Sequence, residues 1–198
     1  MTPEDETEDQ FSEVFDDLHS VAHETEATTL GELVDALGRR GTGPLLVILS
    51  AVLILPVGMV PGMPGLVAIV FVLIGIQLLF VQPKLWMPAR LRRITIKTET
   101  LKSIVDRARP LRRKARLLLS ERLTFIIDSR AFQLANALIL LLTGCVIFFI
   151  GFVPGLPFVL SIHILLIGLG LTARDGVVMS LGLTAIAPAI WLVAKVLF

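Results

Sequence analysis

Val60-Pro61-Gly62-Met63-Pro64 lies in the middle of an apolar segment, from Gly41 to Gln82, that carries no charged residue. Proline removes a backbone donor and fixes φ, and glycine adds conformational freedom, so this stretch predicts a break in a helix. The same pattern returns as Val153-Pro154-Gly155-Leu156-Pro157, within a second apolar segment that has no Asp, Glu, Lys or Arg. We call these stretches the first and the second breaker. Their repetition within two apolar runs predicts broken or hairpin helices in a bilayer.

The composition and the distribution of charge indicate a membrane protein. Hydrophobic residues make up 55% of the 198 residues, whereas soluble domains are about 45–50% apolar. The net charge of +1 hides a segregation, because residues 1–38 hold 12 of the 17 acidic residues and residues 84–130 hold 14 of the 18 basic ones. The acidic N-terminus lacks the basic start of a secretory signal, so we expect the apolar segments to be retained.

The chain divides into four parts. We predict an acidic tail with an amphipathic segment (1–27), a first membrane repeat (28–93), a basic amphipathic connector (94–130), and a second membrane repeat with a last transmembrane helix (131–198). At the start of the first repeat, Thr29 is expected to cap a short helix, with Glu32 as its capping-box partner and Gly38 at its end. The residues predicted to share one face of that helix are Leu30, Leu33, Val34 and Leu37.

The apolar arms beside the breakers are short for a bilayer. The first breaker separates Pro44–Pro56 from Leu66–Val81, and the second separates Leu134–Ile150 from Phe158–Leu171. A straight span needs about 20 residues, so these arms are either short spans or re-entrant hairpins. The predicted fold class is an all-α integral membrane protein with two repeated broken-helix hairpins, interfacial amphipathic helices and a C-terminal transmembrane helix.

A shift of 93 residues aligns the two halves of the chain without gaps, which indicates an internal duplication. The two breakers then coincide, and Gly75 lies over Gly168. Cations flank both pairs of arms, which favours hairpins that enter the membrane from one side, although an inverted arrangement stays open.

The last apolar run and several small or polar residues carry further predictions. Val177–Phe198 is expected to form the final helix, kinked at Pro188 and capped by Asp175. Asn136, Thr143 and Thr184 are expected to make interhelical hydrogen bonds. The glycines predicted to let helices approach closely are Gly75, Gly144, Gly168, Gly170 and Gly182.

The breakers are the predicted binding site for a small solute or ion. Half-helices that end inside a membrane present backbone N–H groups at one tip and carbonyls at the other, and such tips can hold an ion or an anionic headgroup. His163 would add a proton or ligand site, or it is a neutral histidine bonded to a neighbouring helix. Gln77 would line a cavity or bond between helices. The predicted binding residues are Pro61, Gly62, Pro64, Gln77, Pro154, Gly155, Pro157, Ser161 and His163.

The basic region is expected to lie on the cytoplasmic membrane surface, with its cations at anionic lipid headgroups. A solvated connector is the alternative, and membrane lipids explain the charge better than nucleic acid does. The sequence has no phosphate-binding loop, metal-ligand spacing or Ser-His-Asp set, so we predict no enzyme activity, no metal and no cofactor. The predicted membrane-surface residues are Arg90, Arg92, Arg93, Arg112, Arg113, Lys114 and Arg116.

Three stretches carry a family resemblance: Gly38-Arg39-Arg40-Gly41, Arg174-Asp175-Gly176, and the segment from Gly75-Ile76-Gln77-Leu78-Leu79 into Pro83-Lys84-Leu85-Trp86-Met87-Pro88-Ala89-Arg90-Leu91-Arg92-Arg93. In these stretches the chain resembles the ExoD family of bacterial inner-membrane proteins, over about residues 28–198. The resemblance implies a multi-pass inner-membrane protein linked to exopolysaccharide synthesis. The second breaker departs from the family's usual pattern.

Two functions are compatible with these features. The first is a small transporter or channel-like protein with a site between the breakers, and it would be a homodimer because five spans leave little room to enclose a pathway. The alternative is a non-transporting accessory or scaffold protein of polysaccharide assembly that acts through its basic helices. A hydrated cavity at the breakers would favour transport, and breaker turns exposed at the surface would count against it.

Overall fold

The structure is a computed structural model that describes residues 27–38, 41–80, 86–97, 102, 127, 129–153 and 155–197. The described part is helical, as predicted, apart from one two-stranded antiparallel ribbon. The predicted amphipathic segment before residue 27 and most of the basic connector lie outside the described residues. The elements are β1 (Ala27–Thr29), α1 (Leu30–Gly38), α2 (Thr42–Ile54), a 3-10 turn (Pro56–Met59), α3 (Met63–Leu79), α4 (Ala89–Arg92), β2 (Thr95–Lys97), α5 (Arg130–Ile150), α6 (Leu156–Thr172), α7 (Gly176–Thr184) and α8 (Ile186–Leu197).

Helix α1 begins at the predicted capping box. The backbone N–H of Thr29 donates to a Glu32 carboxylate oxygen at 2.9 Å, and the N–H of Glu32 donates to Oγ1 of Thr29 at 3.3 Å. The helix ends at Gly38, as predicted. Its predicted apolar face is buried and packs into the core, with α1 lying against α2. The ribbon pairs Thr29 with Thr95, and Leu30 N–H donates to the Ile94 carbonyl at 2.7 Å.

The long helices of one half pack on the long helices of the other half. Helix α2 lies along α6, and α3 lies along α5. The second contact runs antiparallel, because Gly75, late in α3, lies against Ala137, early in α5, whereas Ala68 lies against Gly144 further along α5. These crossed pairs bury the apolar core between the two halves rather than within each half.

The predicted glycine contacts are confirmed at all five positions. A Cβ placed on Gly75 would lie 3.0 Å from the carbonyl oxygen of Ala137, and one on Gly168 would lie 2.9 Å from the backbone nitrogen of Val47. Gly75 and Gly168 are equivalent under the 93-residue shift, so each half contributes a glycine to the matching helix pair. In lipid there is no hydrophobic driving force between helices, so helix association depends on close packing of this kind.

The C-terminal run forms two helices rather than one. Asp175 caps α7 as predicted, since its carboxylate accepts from the N–H groups of Val177 and Val178 at 2.9 and 3.2 Å. Helix α7 ends at Thr184 and α8 begins at Ile186, so the break lies before Pro188 rather than at it. Proline lacks an N–H and its ring crowds the carbonyl four residues earlier, here that of Thr184, which accounts for this position.

Two helical stretches within the described residues are long and apolar enough to cross a membrane. They are Arg130–Ile150, which is α5, and Gly176–Lys195, which combines α7 with most of α8. Helices α2, α3 and α6 are apolar but shorter, at 13, 17 and 17 residues. These lengths agree with the prediction of short arms for three of the four arms beside the breakers. The prediction is wrong for the arm Leu134–Ile150, because α5 extends it to 21 residues, which is enough for a straight span.

Candidate functional site

Both breakers form the same turn. Gly62 and Gly155 precede α3 and α6 in the left-handed conformation, with φ of 93° and 87°, which costs glycine little. Pro64 and Pro157 follow as the second residue of each helix and are buried. In this position the missing proline N–H costs no helical hydrogen bond, and the fixed φ suits the helix. Pro154 lies outside the described residues.

Each breaker turn bonds one of the donors that an open helix N-terminus would offer to an anion. Met63 N–H donates to the Val60 carbonyl and Leu66 N–H to the Gly62 carbonyl, each at 3.0 Å. The second breaker repeats this pattern, since Leu156 N–H donates to Val153 and Val159 N–H to Gly155, at 3.3 and 3.2 Å. Proline has no N–H to offer. The bonds of Leu66 and Val159 are the first ordinary i→i−4 bonds of α3 and α6. In each helix, therefore, one of the first four donors is bonded within the turn and one is missing at the proline.

The breaker turns are exposed and apolar. Met59 is 75% exposed and Phe152 is 85% exposed. Pro61, Gly62 and Gly155 are exposed as well. The turns lie beside each other, because a Cβ on Gly151 would come within 3.2 Å of Cβ of Pro64. The structure thus brings the two breakers together at an exposed, apolar surface.

His163 is the one predicted binding residue with a polar partner on another helix. It is 1% exposed, and its Nε2 lies 3.0 Å from Oγ1 of Thr143 on α5. Its Nδ1 has no partner among the described residues. A structural role for His163 predicts a hydrogen bond to a neighbouring helix, and the bond to Thr143 is of that kind. The same bond confirms the predicted interhelical role of Thr143. A binding role for His163 stays a prediction.

The other predicted interhelical bonds are not formed by the described residues. Asn136 donates to the Phe132 carbonyl and Thr184 to the Leu181 carbonyl, each within its own helix. Ser161 is fully buried and likewise donates to the Phe158 carbonyl at 2.7 Å. Local bonds to a carbonyl three or four residues earlier are available to any such side chain in a helix, so they form without a neighbour.

A cavity of about 170 Å³ lies beside the Thr143–His163 pair. Helix α8 closes it from one side, and most of its lining is apolar. This cavity lies part of the way along α5 and α6, away from the breaker turns. The lining residues from α5 and α6 are Ile139, Leu142, Thr143, Val146, Leu160 and His163.

Gln77 ties the end of α3 to the chain that follows. Its amide nitrogen donates to the carbonyls of Leu73 at 3.1 Å and Trp86 at 2.7 Å, and its amide oxygen accepts the N–H of Trp86. These bonds occupy both ends of the amide. The side chain therefore serves a structural role in this structure, and its predicted role in binding is not tested.

The described cations of the predicted membrane surface fall into two groups. Arg90 and Arg93 are exposed, and so is Trp86. Arg92 forms an ion pair with Asp35 of α1, and α4 lies against α1. The other predicted surface residues, Arg112, Arg113, Lys114 and Arg116, lie outside the described residues. In the described ranges, no three His, Cys, Asp or Glu side chains come together as a metal site would require.

Sequence reasoning missed Ser50 and Asp35. Ser50 is equivalent to Thr143 under the 93-residue shift and is fully buried, and its hydroxyl has no partner among the described residues. Its neighbour at the position of His163 would be Val70, which cannot accept a hydrogen bond. Applying the 93-residue shift to Thr143 would have pointed to Ser50. No sequence signal connected Asp35 with Arg92, 57 residues further along the chain.

The family model described as "Exopolysaccharide synthesis, ExoD" matches residues 11–195, nearly the whole chain. No curated protein and no solved structure matches the chain.

Proposed function

Given that this chain belongs to the ExoD family of exopolysaccharide synthesis, we propose that it is a non-transporting accessory protein of polysaccharide assembly. It is embedded in the bacterial inner membrane with several passes and performs no covalent chemistry itself. The family and the two candidate spans indicate a membrane protein. The accessory role is the alternative that the geometry of the breakers favours.

The proposed architecture consists of two duplicated hairpins packed across each other, with both breakers at one end. Antiparallel contacts between α3 and α5 support it. The bond between Thr143 and His163 supports it too, because each residue lies seven positions from its breaker-side helix end, so α5 and α6 must lie side by side. The two hairpins then enter the membrane from the same side.

One observation carries the choice of function: the breaker turns lie exposed, and each of them bonds one of its own N-terminal donors internally. A transport site between the breakers would need free backbone dipoles facing an enclosed, hydrated space. The turns instead hydrogen-bond internally and present the apolar side chains of Met59 and Phe152. We therefore assign the breakers the structural role of closing the hairpins, and we assign contact with partner proteins to the basic connector.

The second candidate is a small transporter or channel-like protein that works as a homodimer. The observation that favours it is the cavity beside the buried Thr143–His163 pair. Buried ionisable residues within membrane segments often mark a pathway for protons or solutes. In this version the pathway would run past His163 rather than between the breakers.

The decisive experiment measures secreted exopolysaccharide in a strain that lacks this chain and carries variants of it. Neutralising the connector, with Arg112→Gln, Arg113→Gln, Lys114→Gln and Arg116→Gln together, should abolish production. Lys195→Gln, which removes a cation outside the connector, is the control and should leave production intact, as should Pro61→Ala at the exposed breaker. Immunoblots of the membrane fraction check that each variant accumulates.

The transporter candidate makes the opposite forecast. It expects exopolysaccharide to fall with the pair Thr143→Val and His163→Leu, and to survive neutralisation of the connector. That pattern, at normal protein levels, would refute the accessory role.

A further inference from the structure

The cavity between α5, α6 and α8 opens on the outside of the molecule. Leu142 of α5 and Ile190 of α8 both line it and are 61% and 62% exposed, so they flank its mouth. Its floor contains the buried Leu160 and His163. Apart from Thr143 and His163, its lining side chains are all aliphatic.

The same surface of the first hairpin is closed. Under the 93-residue shift, Leu142 corresponds to Leu49, and Leu49 is 3% exposed. The positions equivalent to the other five lining residues of α5 and α6 are buried as well; they are Leu46, Ser50, Leu53, Val67 and Val70. Because the duplicated fold fills this surface in one half, the open cavity is a specific feature of the second half.

The depth of the mouth limits what can enter it. Helix α5 has 21 residues, which at 1.5 Å per residue is about the 30 Å of a bilayer's hydrocarbon core. Leu142 lies near the middle of that span, and Ile190 lies within the other candidate span. Near the bilayer centre the surrounding solvent is hydrocarbon, so a mouth at this depth faces lipid chains rather than water or headgroups.

The cavity is large enough for part of a hydrocarbon chain but too small for a helix. Apolar cavities of about 150 Å³ stay dry and bind molecules the size of benzene. A helix is about 10–12 Å wide with its side chains and cannot enter such a space. A few methylenes of a flexible hydrocarbon chain can.

We propose that the cavity between α5, α6 and α8 is a binding site for the end of a phospholipid acyl chain. The chain enters between Leu142 and Ile190 and packs on Leu160. In the second half, the acyl chain covers the surface that protein covers in the first half. This inference rests on the membrane embedding in the proposed function, and it holds for either role in polysaccharide assembly.

The test uses the full chain in nanodiscs of phosphatidylcholine and phosphatidylglycerol, with a fraction of the phospholipid carrying a diazirine near the end of one acyl chain. After illumination, adducts are located by mass spectrometry of peptides. Cavity residues such as Ile139 and Val146 should be labelled above the exposed Leu134 and Leu181. Replacing Ala189, a buried lining residue of α8, by phenylalanine fills the cavity and should remove the labelling at Ile139 and Val146.

Leu181→Phe is the matched control, because Leu181 is exposed on α7 and does not line the cavity. It should leave cavity labelling unchanged. Ala189→Leu fills less space and should reduce the labelling in part, which keeps the test valid if the phenylalanine variant does not fold.

Three results would overturn the proposal. Labelling of Ile139 and Val146 that persists in both Ala189 variants would exclude the cavity as its source. Labelling no stronger than at Leu134 would mean ordinary lipid contact. Crosslinks from these residues to a second copy of the chain would make that copy the occupant. If Leu134 and Leu181 are unlabelled as well, the membrane embedding itself fails, which separates that failure from failure of the cavity site.

Discussion

Replacing Gly168 by alanine places a methyl group where two helices have no room for one. The new Cβ would lie 2.9 Å from Cβ of Leu46, 2.9 Å from the nitrogen of Val47 and 3.1 Å from the carbonyl oxygen of Gly43. Carbon atoms pack best at about 3.5–4.0 Å, so α2 and α6 must separate by several tenths of an ångström. Overpacking of this kind costs about 1–3 kcal/mol.

Gly65→Ala is the matched control. Gly65 also lies in a helix, α3, but a Cβ there meets nothing within 4 Å. Both substitutions gain from the higher helix propensity of alanine, so the difference between the two variants measures the cost of packing. We expect Gly75→Ala, at the equivalent position of the other helix pair, to lose stability as Gly168→Ala does.

The assay is thermal unfolding of the full chain in detergent, followed by tryptophan fluorescence and circular dichroism. A packing cost of about 1–3 kcal/mol corresponds to a Tm roughly 2–12 °C lower for a chain of this length. If Gly168→Ala and Gly75→Ala melt at the same temperature as Gly65→Ala, the crossed helix pairs are not the main contacts and the reasoning fails.

Three further substitutions test other parts of the structure. Thr143→Val should cost about 1–3 kcal/mol because it leaves Nε2 of His163 buried without a partner, and adding His163→Leu should recover part of that loss; a double-mutant cycle on Tm measures this, and additive losses would argue against the bond. Thr29→Ala should cost about 0.5–2 kcal/mol by removing the helix cap, whereas Thr29→Ser should be close to neutral; equal melting of the two variants would deny the capping box. Gln77→Ala should expose the backbone N–H of Trp86 to faster hydrogen exchange, and unchanged exchange there would show that the amide does not hold that segment.

The helix ends and caps could be predicted from the sequence because their signals are local. Pro64 and Pro157 mark the starts of α3 and α6, where a proline is tolerated. Thr29 with Glu32 forms a capping box within four consecutive residues. The close-contact glycines were predictable for the same reason, since a glycine in an apolar helix has few other uses.

The partners of the long helices could not be predicted. Helices α2, α3 and α6 are apolar on all sides, so hydrophobic periodicity does not indicate which face packs and on what. The crossed pairing depends on where Gly43 and Gly168 meet in space, which no local pattern encodes. The sequence predicted two hairpins with a site between their breakers, but not which long helices pack on each other.

The candidate site was predicted less well than the fold, for a physical reason. The sequence places breakers at two helix starts but does not say where their donors point, and Met63 and Leu156 turned out to bond within the turns. The amide of Gln77 was expected to face a neighbouring helix or a cavity, and it bonds instead to the backbone of Trp86. The cavity depends on how α8 lies over α5 and α6, so only the assembled shape reveals it.

Crosslinking of the two breaker turns tests the crossed arrangement of the hairpins most directly. In a Cys145→Ser background, Met59→Cys and Phe152→Cys place two thiols at exposed turns, and a short bismaleimide should join them within one chain. In the control, Met59→Cys with Trp86→Cys, helix α3 separates the thiols by about 25 Å, and we expect no link. Efficient linkage of the 59/86 pair, or none of the 59/152 pair, would contradict an arrangement in which both breakers lie at one end of the crossed hairpins.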